Sequence, residues 1–171
     1  MDISQLSIEQ FSEEKYSGIL SELTELIHEA YKPLADMGFK YSGSHQPSEI
    51  TLKRLNRGHG FLAFWDKQLV GTISLFAPLA DNACEYYRQE GVYHFGQFAV
   101  RPQFQNKGIG QKLLSLVEAK ARAAGGKELS LDTAEGALEL IKKYERHGFQ
   151  IVSTTQWSTT NYHSVVMSKK I

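Results

Sequence analysis

Arg101-Pro-Gln-Phe-Gln-Asn-Lys-Gly-Ile-Gly110 joins an apolar extended run to an amphipathic helical one. Upstream, Tyr93 to Val100 is rich in aromatic and β-branched residues, the composition of a buried strand. Pro102 disfavours helical dihedrals at Arg101, so the strand closes there and the chain turns out over its end. Downstream, Ile109, Leu113, Leu116, Val117 and Ala121 share one face at helical spacing, and Gly125-Gly126 stops the run. The stretch reads as a strand-to-helix turn. A helix start leaves backbone N–H groups without partners, and with the aligned peptide dipoles they attract anions. Gly108 and Gly110 lack a Cβ and let a ligand come close to that backbone. From Arg101 to Lys127 there are six basic residues (Arg101, Lys107, Lys112, Lys120, Arg122, Lys127) against one acid, Glu118, in a chain of zero net charge. A polyanionic ligand fits this balance.

A Walker loop needs Gly, four residues, then Gly-Lys-Ser/Thr, which is absent. A dinucleotide fingerprint needs a third small residue where Leu113 stands. An ordinary glycine-containing loop capping a helix is the plain alternative. What remains is Gln105-x-x-Gly108-x-Gly110, which resembles the pyrophosphate-binding motif of the GNAT superfamily, the acetyl-CoA-dependent N-acetyltransferases. That resemblance implies acetyl-CoA as co-substrate, held by Gln105, Asn106, Lys107, Gly108, Ile109 and Gly110.

The rest of the chain extends the likeness. Ile3 to Ile8 suits a short opening strand, and Ser12 with Glu14 and Lys15 a first helical turn. Ile19, Leu23, Leu26, Ile27 and Ala30 give a helical stripe expected to end before Pro33. Through Asp36 this opening holds eight acids and two lysines, either a solvated helix face or an electrostatic funnel for an amine. Tyr31 to Pro47 reads as a loop with a short helical turn, where His45 and Gln46 are acceptor contacts or simply turn material. Glu49 to Leu55 suits a second helix. Phe61–Trp65 and Leu69–Phe76 form a hairpin across Asp66-Lys-Gln, and Ala80 to Gly91 is irregular. After the loop helix come a strand at Glu128–Thr133, a helix through Ala137, Leu140, Ile141 and Tyr144 that ends at Gly148, and strands at Phe149–Trp157 and Tyr162–Met167. The order β-α-α-β-β-β-α-β-α-β-β is mixed α/β around one central sheet. It resembles the GNAT order from end to end, which implies a mostly antiparallel mixed sheet flanked by helices and one N-acetyltransferase domain over residues 1–171.

Length suits one domain with a full core, and 42% hydrophobic with 22% charged residues is ordinary globular composition. Balanced charge, 19 basic and 19 acidic residues, gives no reason to expect a nucleic-acid partner. Met1-Asp-Ile-Ser-Gln-Leu is not a signal peptide, and no run approaches membrane-spanning length, so a cytoplasmic location is expected. Cys84 is the single cysteine and allows no internal disulfide; it reads as a plain surface or half-buried thiol rather than a nucleophile. The six histidines lack ligand spacing, so no metal is expected.

Acetyl transfer to an amine requires the amine to lose its proton, the oxyanion to find a donor and the departing thiolate to be protonated. By resemblance Tyr144 is the acid for the sulfur, although it shares a face with Leu140 and Ile141 and equally suits a core tyrosine. Main-chain groups of Phe98, Ala99 and Val100 occupy the place where the family pairs its strand with the pantetheine. His94 stands where the histone-acetylating branch has a glutamate, six residues before Val100, and reads as a base or as a structural imidazole. Other relatives pass the proton along ordered waters. Ala137 replaces an asparagine that relatives use on the pantetheine, leaving that contact open. Cys84 offers no acyl-enzyme route, so a ternary complex is implied.

The acceptor is a small-molecule or peptide amine, with Tyr31, Tyr41, His45, Trp157 and Tyr162 placed by family likeness around it. A homodimer through the terminal strands is a further expectation of the family. A non-catalytic acyl-CoA-binding or sensing domain, and a structural protein that uses the terminal strand edge, are the alternatives.

Overall fold

The computed structural model describes residues 5–171. The chain runs β1 (Leu6–Gln10), α1 (Glu13–Tyr16), α2 (Leu20–Asp36), α3 (Ser48–Arg57), β2 (His59–Trp65), β3 (Gln68–Phe76), β4 (Val92–Val100), α4 (Ile109–Ala123), β5 (Glu128–Ala134), α5 (Leu138–Glu145), β6 (Gln150–Thr155) and β7 (Ser164–Lys170). Of the strand expected at Ile3–Ile8, residues 3 and 4 fall outside the described residues, and β1 runs on to Gln10.

Seven strands form one sheet in the order β1-β2-β3-β4-β5-β7-β6. Every neighbouring pair is antiparallel except β4 with β5. Period-two alternation sends β2 to both faces: Phe61, Ala63 and Trp65 meet α4, while Leu62 and Phe64 meet α2. On the α4 face, Ile109, Leu113, Leu114, Val117 and Ala121 pack on Ile73, Leu75, Leu129 and Leu131. On the other, Leu23, Leu26 and Ile27 are fully buried against Leu55, Leu69 and Ala99. Each such side chain contributes about 1.5–3 kcal/mol of burial.

Local chemistry explains the connections. Asp66 and Lys67 take φ of 46° and 66°, a two-residue turn of positive φ that matches the strand twist, so Gln68 already belongs to β3. α2 continues past Pro33 to Asp36, where the sequence suggested a stop. Pro33 lies in the last turn and so removes a single ladder bond, while Leu34 beyond it packs with Tyr41 and Ala134. Cys84 is buried beside Tyr87, Val92 and Val166 rather than on the surface, and burial pushes its thiol pKa up. β6 is an edge strand that leaves Ile151 and Val152 half exposed. No helix among the described residues is long and apolar enough to cross a membrane.

Candidate active site

β4 and β5 pair only from Val92 to His94, opposite Glu128 to Ser130, and then diverge. Beyond that point β4 keeps its antiparallel partner β3 but has no strand on its β5 side. A bulge sharpens the opening. Thr72 faces Ala99 and Ser74 faces Gly96, so Gln97 and Phe98 together oppose Ile73, and Gln97 sits at φ 49°. The Gln97 amide holds that conformation from within: its oxygen accepts from Gln46 Nε2 at 2.9 Å and its nitrogen donates to the Thr51 carbonyl at 3.4 Å. Gln46 also donates to Thr51 Oγ1 at 2.8 Å and is buried, so it clamps α3 to β4 and is not an acceptor contact.

At the open end of β4 the chain makes a short 3-10 turn at Pro102–Phe104 and reaches Asn106 (φ 59°) and Gly108 (φ 82°) before α4 begins. No side chain caps that helix start. Gln105 Nε2 donates to the Val100 carbonyl at 3.0 Å and so folds the loop back on its own strand. At Gly110 a Cβ would come within 3.4 Å of the Phe98 ring. A cavity of about 660 Å³ opens over these groups, lined by Phe98, Ala99, Val100, Gln105, Asn106, Gly108 and Gly110 on one side and by Leu140, Lys143 and Tyr144 of α5 and His147 just after it on the other. The uncapped amides and the missing Cβ atoms suit a diphosphate, and the unpaired edge of β4 suits an extended amide-bearing chain.

Lys107 and Ile109 are placed differently. The Lys107 ammonium donates to the Gln103 carbonyl at 2.6 Å and lies 5.0 Å from the Phe104 ring centre, while the Ile109 side chain is buried in the core. The Ile109 side chain is thus closed to a ligand, while that of Lys107 is exposed. Arg101, counted in the sequence with the basic residues of the loop, instead pairs with Glu22 at 3.0 Å and Glu29 at 3.1 Å of α2. This also accounts for part of the acidic face of that helix.

A second cavity, about 460 Å³, lies on the far side of the opening. Tyr31, Tyr41, Trp157 and Tyr162 line it, while His45 does not and is exposed. Tyr31, Tyr41 and Asp132 line both cavities. Asp132 is the polar residue that sequence reasoning missed. Its carboxylate accepts from Tyr87 Oη at 3.0 Å and Trp157 Nε1 at 2.7 Å, and burial raises its pKa. As one polar position of an alternating strand it carried no signal of its own.

His94 also lines the second cavity. Its ring is stacked on Tyr87 at 3.9 Å and on Phe76 at 5.0 Å. Burial, helped by the Arg57 charge, pulls its pKa down to about 3, so the ring is neutral near pH 7 and weakly basic. Tyr144 packs against Phe95 and Phe149 with its ring and also lines the first cavity. Burial raises its pKa, which keeps the phenol protonated. Ala137 is buried with Tyr41 and Ala134 and lies outside both linings. Among the described residues no cluster of His, Cys, Asp and Glu has the makings of a metal site.

A sheet opened between β4 and β5, with an uncapped loop-to-helix turn at its mouth, is the architecture of an acetyltransferase. The profile of the Acetyltransferase (GNAT) family matches residues 20–149, and the chain belongs to that family. It is 31% identical over 151 residues to S-(2-succino)cysteine N-acetyltransferase of Bacillus subtilis (strain 168), covering 87% of this chain and 88% of the relative. Among solved structures, PH1933 from Pyrococcus horikoshii OT3 superposes with a TM-score of 0.72 at 23% identity, covering 97% of this chain and 98% of its own. The PaiA N-acetyltransferase from Thermoplasma acidophilum, in complex with coenzyme A, gives 0.69 at 20% identity, with 97% and 99% covered.

Proposed function

We propose that residues 1–171 act as one N-acetyltransferase domain that moves the acetyl group of acetyl-CoA directly to the primary amine of a small acceptor. The observation that carries this reading is the meeting of the two cavities at Tyr31, Tyr41 and Asp132, through the gap between β4 and β5. A cofactor arm entering from the loop and an amine entering from the far side reach each other only there. The relative crystallised with coenzyme A and the relative named for N-acetyl transfer both support it.

In this reading the main chain at Gln105–Gly110 holds the diphosphate, with Ile109 contributing backbone alone. Phe98, Ala99 and Val100 offer strand-like partners and N–H groups to the acyl carbonyl. The incoming nitrogen bonds to that carbonyl carbon, the carbon–sulfur bond breaks, the Tyr144 hydroxyl gives its proton to the sulfur, and the surplus proton of the new amide nitrogen returns to the Tyr144 oxygen through solvent. Asp132 faces the ammonium at the junction and receives its proton directly or through water. His94, neutral and stacked, shapes the acceptor cavity and polarises a bound water. The single buried thiol, Cys84, suits a reducing compartment, and we place the protein in the cytoplasm.

A thiol-release assay on the purified protein, with acetyl-CoA and a panel of amines headed by S-(2-succino)cysteine, tests this. Stoichiometric free thiol and acetylated amine are expected. Calorimetric binding of acetyl-CoA without product from any amine would favour a sensing domain, and no binding at all would favour a structural partner.

A further inference from the structure

Two cations line the acceptor cavity without a hydrogen-bond or salt-bridge partner among the described residues. Arg54 and Arg57 stand three residues apart on α3, and both border the cavity together with His94 and Asp132. Among the described residues neither donates a hydrogen bond to a side chain or carbonyl, and neither joins a salt bridge, although seven other pairs form. The Arg57 guanidinium is fixed over the Phe76 ring, 4.7 Å from its centre. α3 itself is held to β4 by the buried Gln46, Thr51 and Gln97 bonds, so the arginines sit on a rigid support. Burial, and with it the Arg57 charge, weakens the charged form of Arg54. Arg54 is half-buried while Arg57 is exposed at the cavity rim, and an anion between the two relieves their repulsion.

A third polar atom is also unsatisfied. His94 Nδ1 is buried without a hydrogen-bond partner in the same cavity. The charge pattern is directional. Asp132 lies at the junction with the cofactor cavity, whereas Arg54 and Arg57 line only the acceptor side. Asp81 is the other acid of this lining.

Building on the transferase reading, we propose that the acceptor is an amino acid bearing two or more carboxylates, its ammonium at Asp132 and its carboxylates on Arg54 and Arg57. The guanidinium forks recognise carboxylate in two parallel bonds, and a cavity of about 460 Å³ suits a small molecule rather than a folded chain.

The test is a comparison of S-(2-succino)cysteine, S-ethylcysteine, S-ethylcysteamine and a short peptide with a free N-terminus as acceptors. These amines carry three, one, no and one carboxylate. The expected kcat/KM falls by about 10-fold with each loss of carboxylate contact, since a charge-assisted pair to a guanidinium is among the stronger hydrogen bonds. Arg54→Gln and Arg57→Gln should each lower kcat/KM for S-(2-succino)cysteine by about 10–100-fold, mainly through KM, and leave calorimetric acetyl-CoA affinity unchanged. Arg54→Lys should recover part of that loss. Acetylation of S-ethylcysteamine or of the peptide as well as S-(2-succino)cysteine, or arginine variants without effect, would overturn the proposal and leave the transferase reading standing. Acetyl-CoA binding with no acetylation of any of the four would overturn both.

Discussion

The imidazole of His94 lies flat on the Tyr87 ring, with centroids 3.9 Å apart and planes within 4°. Phe76 covers its other side, so the ring is enclosed in aromatic surface. The charged form is the one this enclosure excludes, and the folded pKa falls from 6.5 to about 3. The ring should therefore show no protonation between pH 5 and pH 8 in its NMR titration. Because the unfolded chain takes up this proton near pH 6.5, stability should decline as pH falls from about 6.5 toward 3 and change no further from this group below that. His94→Phe should flatten that part of the stability curve, measured by denaturant unfolding at several pH values. A titration with a midpoint above pH 5.5 would contradict the enclosure.

Asp132 presents the opposite case. Burial raises its pKa, so its ionised form costs stability at neutral pH, and this cost grows as pH rises through the folded pKa. Asp132→Asn removes the charge and still lets the amide engage the Tyr87 hydroxyl and Trp157 N–H. Its melting temperature at pH 7 should be equal or higher, while kcat/KM for the amine should drop by about 100-fold. Wild-type turnover in this variant would remove Asp132 from the chemistry.

Tyr144 makes no side-chain hydrogen bond among the described residues, and its ring packing does not involve the hydroxyl. Tyr144→Phe should leave the fold and acetyl-CoA affinity nearly unchanged while turnover falls by about 10²-fold, the usual worth of a positioned general acid. Steady-state kinetics with calorimetry separates the two quantities.

Gly108 sits at φ 82°, immediately before α4. A side chain there costs about 1–2 kcal/mol in backbone strain, and an aspartate would also set negative charge against bound phosphate. Gly108→Asp should weaken acetyl-CoA binding at least about 10-fold by calorimetry, and Gly108→Ala should weaken it less.

Arg101 ties the start of the loop to α2 through Glu22 and Glu29, with its Nε donating to the Leu69 carbonyl at 3.0 Å. Only 12% of its side chain is exposed, against 49% and 45% for the two glutamates, so solvent screens the pair in part. Arg101→Ala should cost about 1–3 kcal/mol in denaturant unfolding, the range for losing hydrogen bonds to charged groups.

Much of this arrangement was legible because periodicity and punctuation agree. Ile109, Leu113, Val117 and Ala121 announced a helix at the right place, and Pro102 and Gly108 marked the turn before it. The family motif then supplied the ligand class. Features set by tertiary contact were hidden. Pro33 looked like a stop, yet packing of Leu34 carries the helix onward. Gln97 in αL conformation is a bulge that no local pattern announces. Arg54 and Arg57 follow Lys53 on a polar helix and look like ordinary solvent-facing charges until the fold sets them beside one cavity. Arg101 erred in the other direction, since Glu22 and Glu29 claim its charge.

The short pairing of β4 with β5, three residues long, makes the sheet two leaves joined by a narrow hinge. Four strands belong to one leaf and three to the other, and the loop and Tyr144 stand on opposite leaves. A pantetheine chain threaded between them would act as a rivet. Amide hydrogen exchange at Phe98–Val100 should slow when acetyl-CoA is added, and the angle between the leaves becomes the quantity through which distant substitutions reach catalysis.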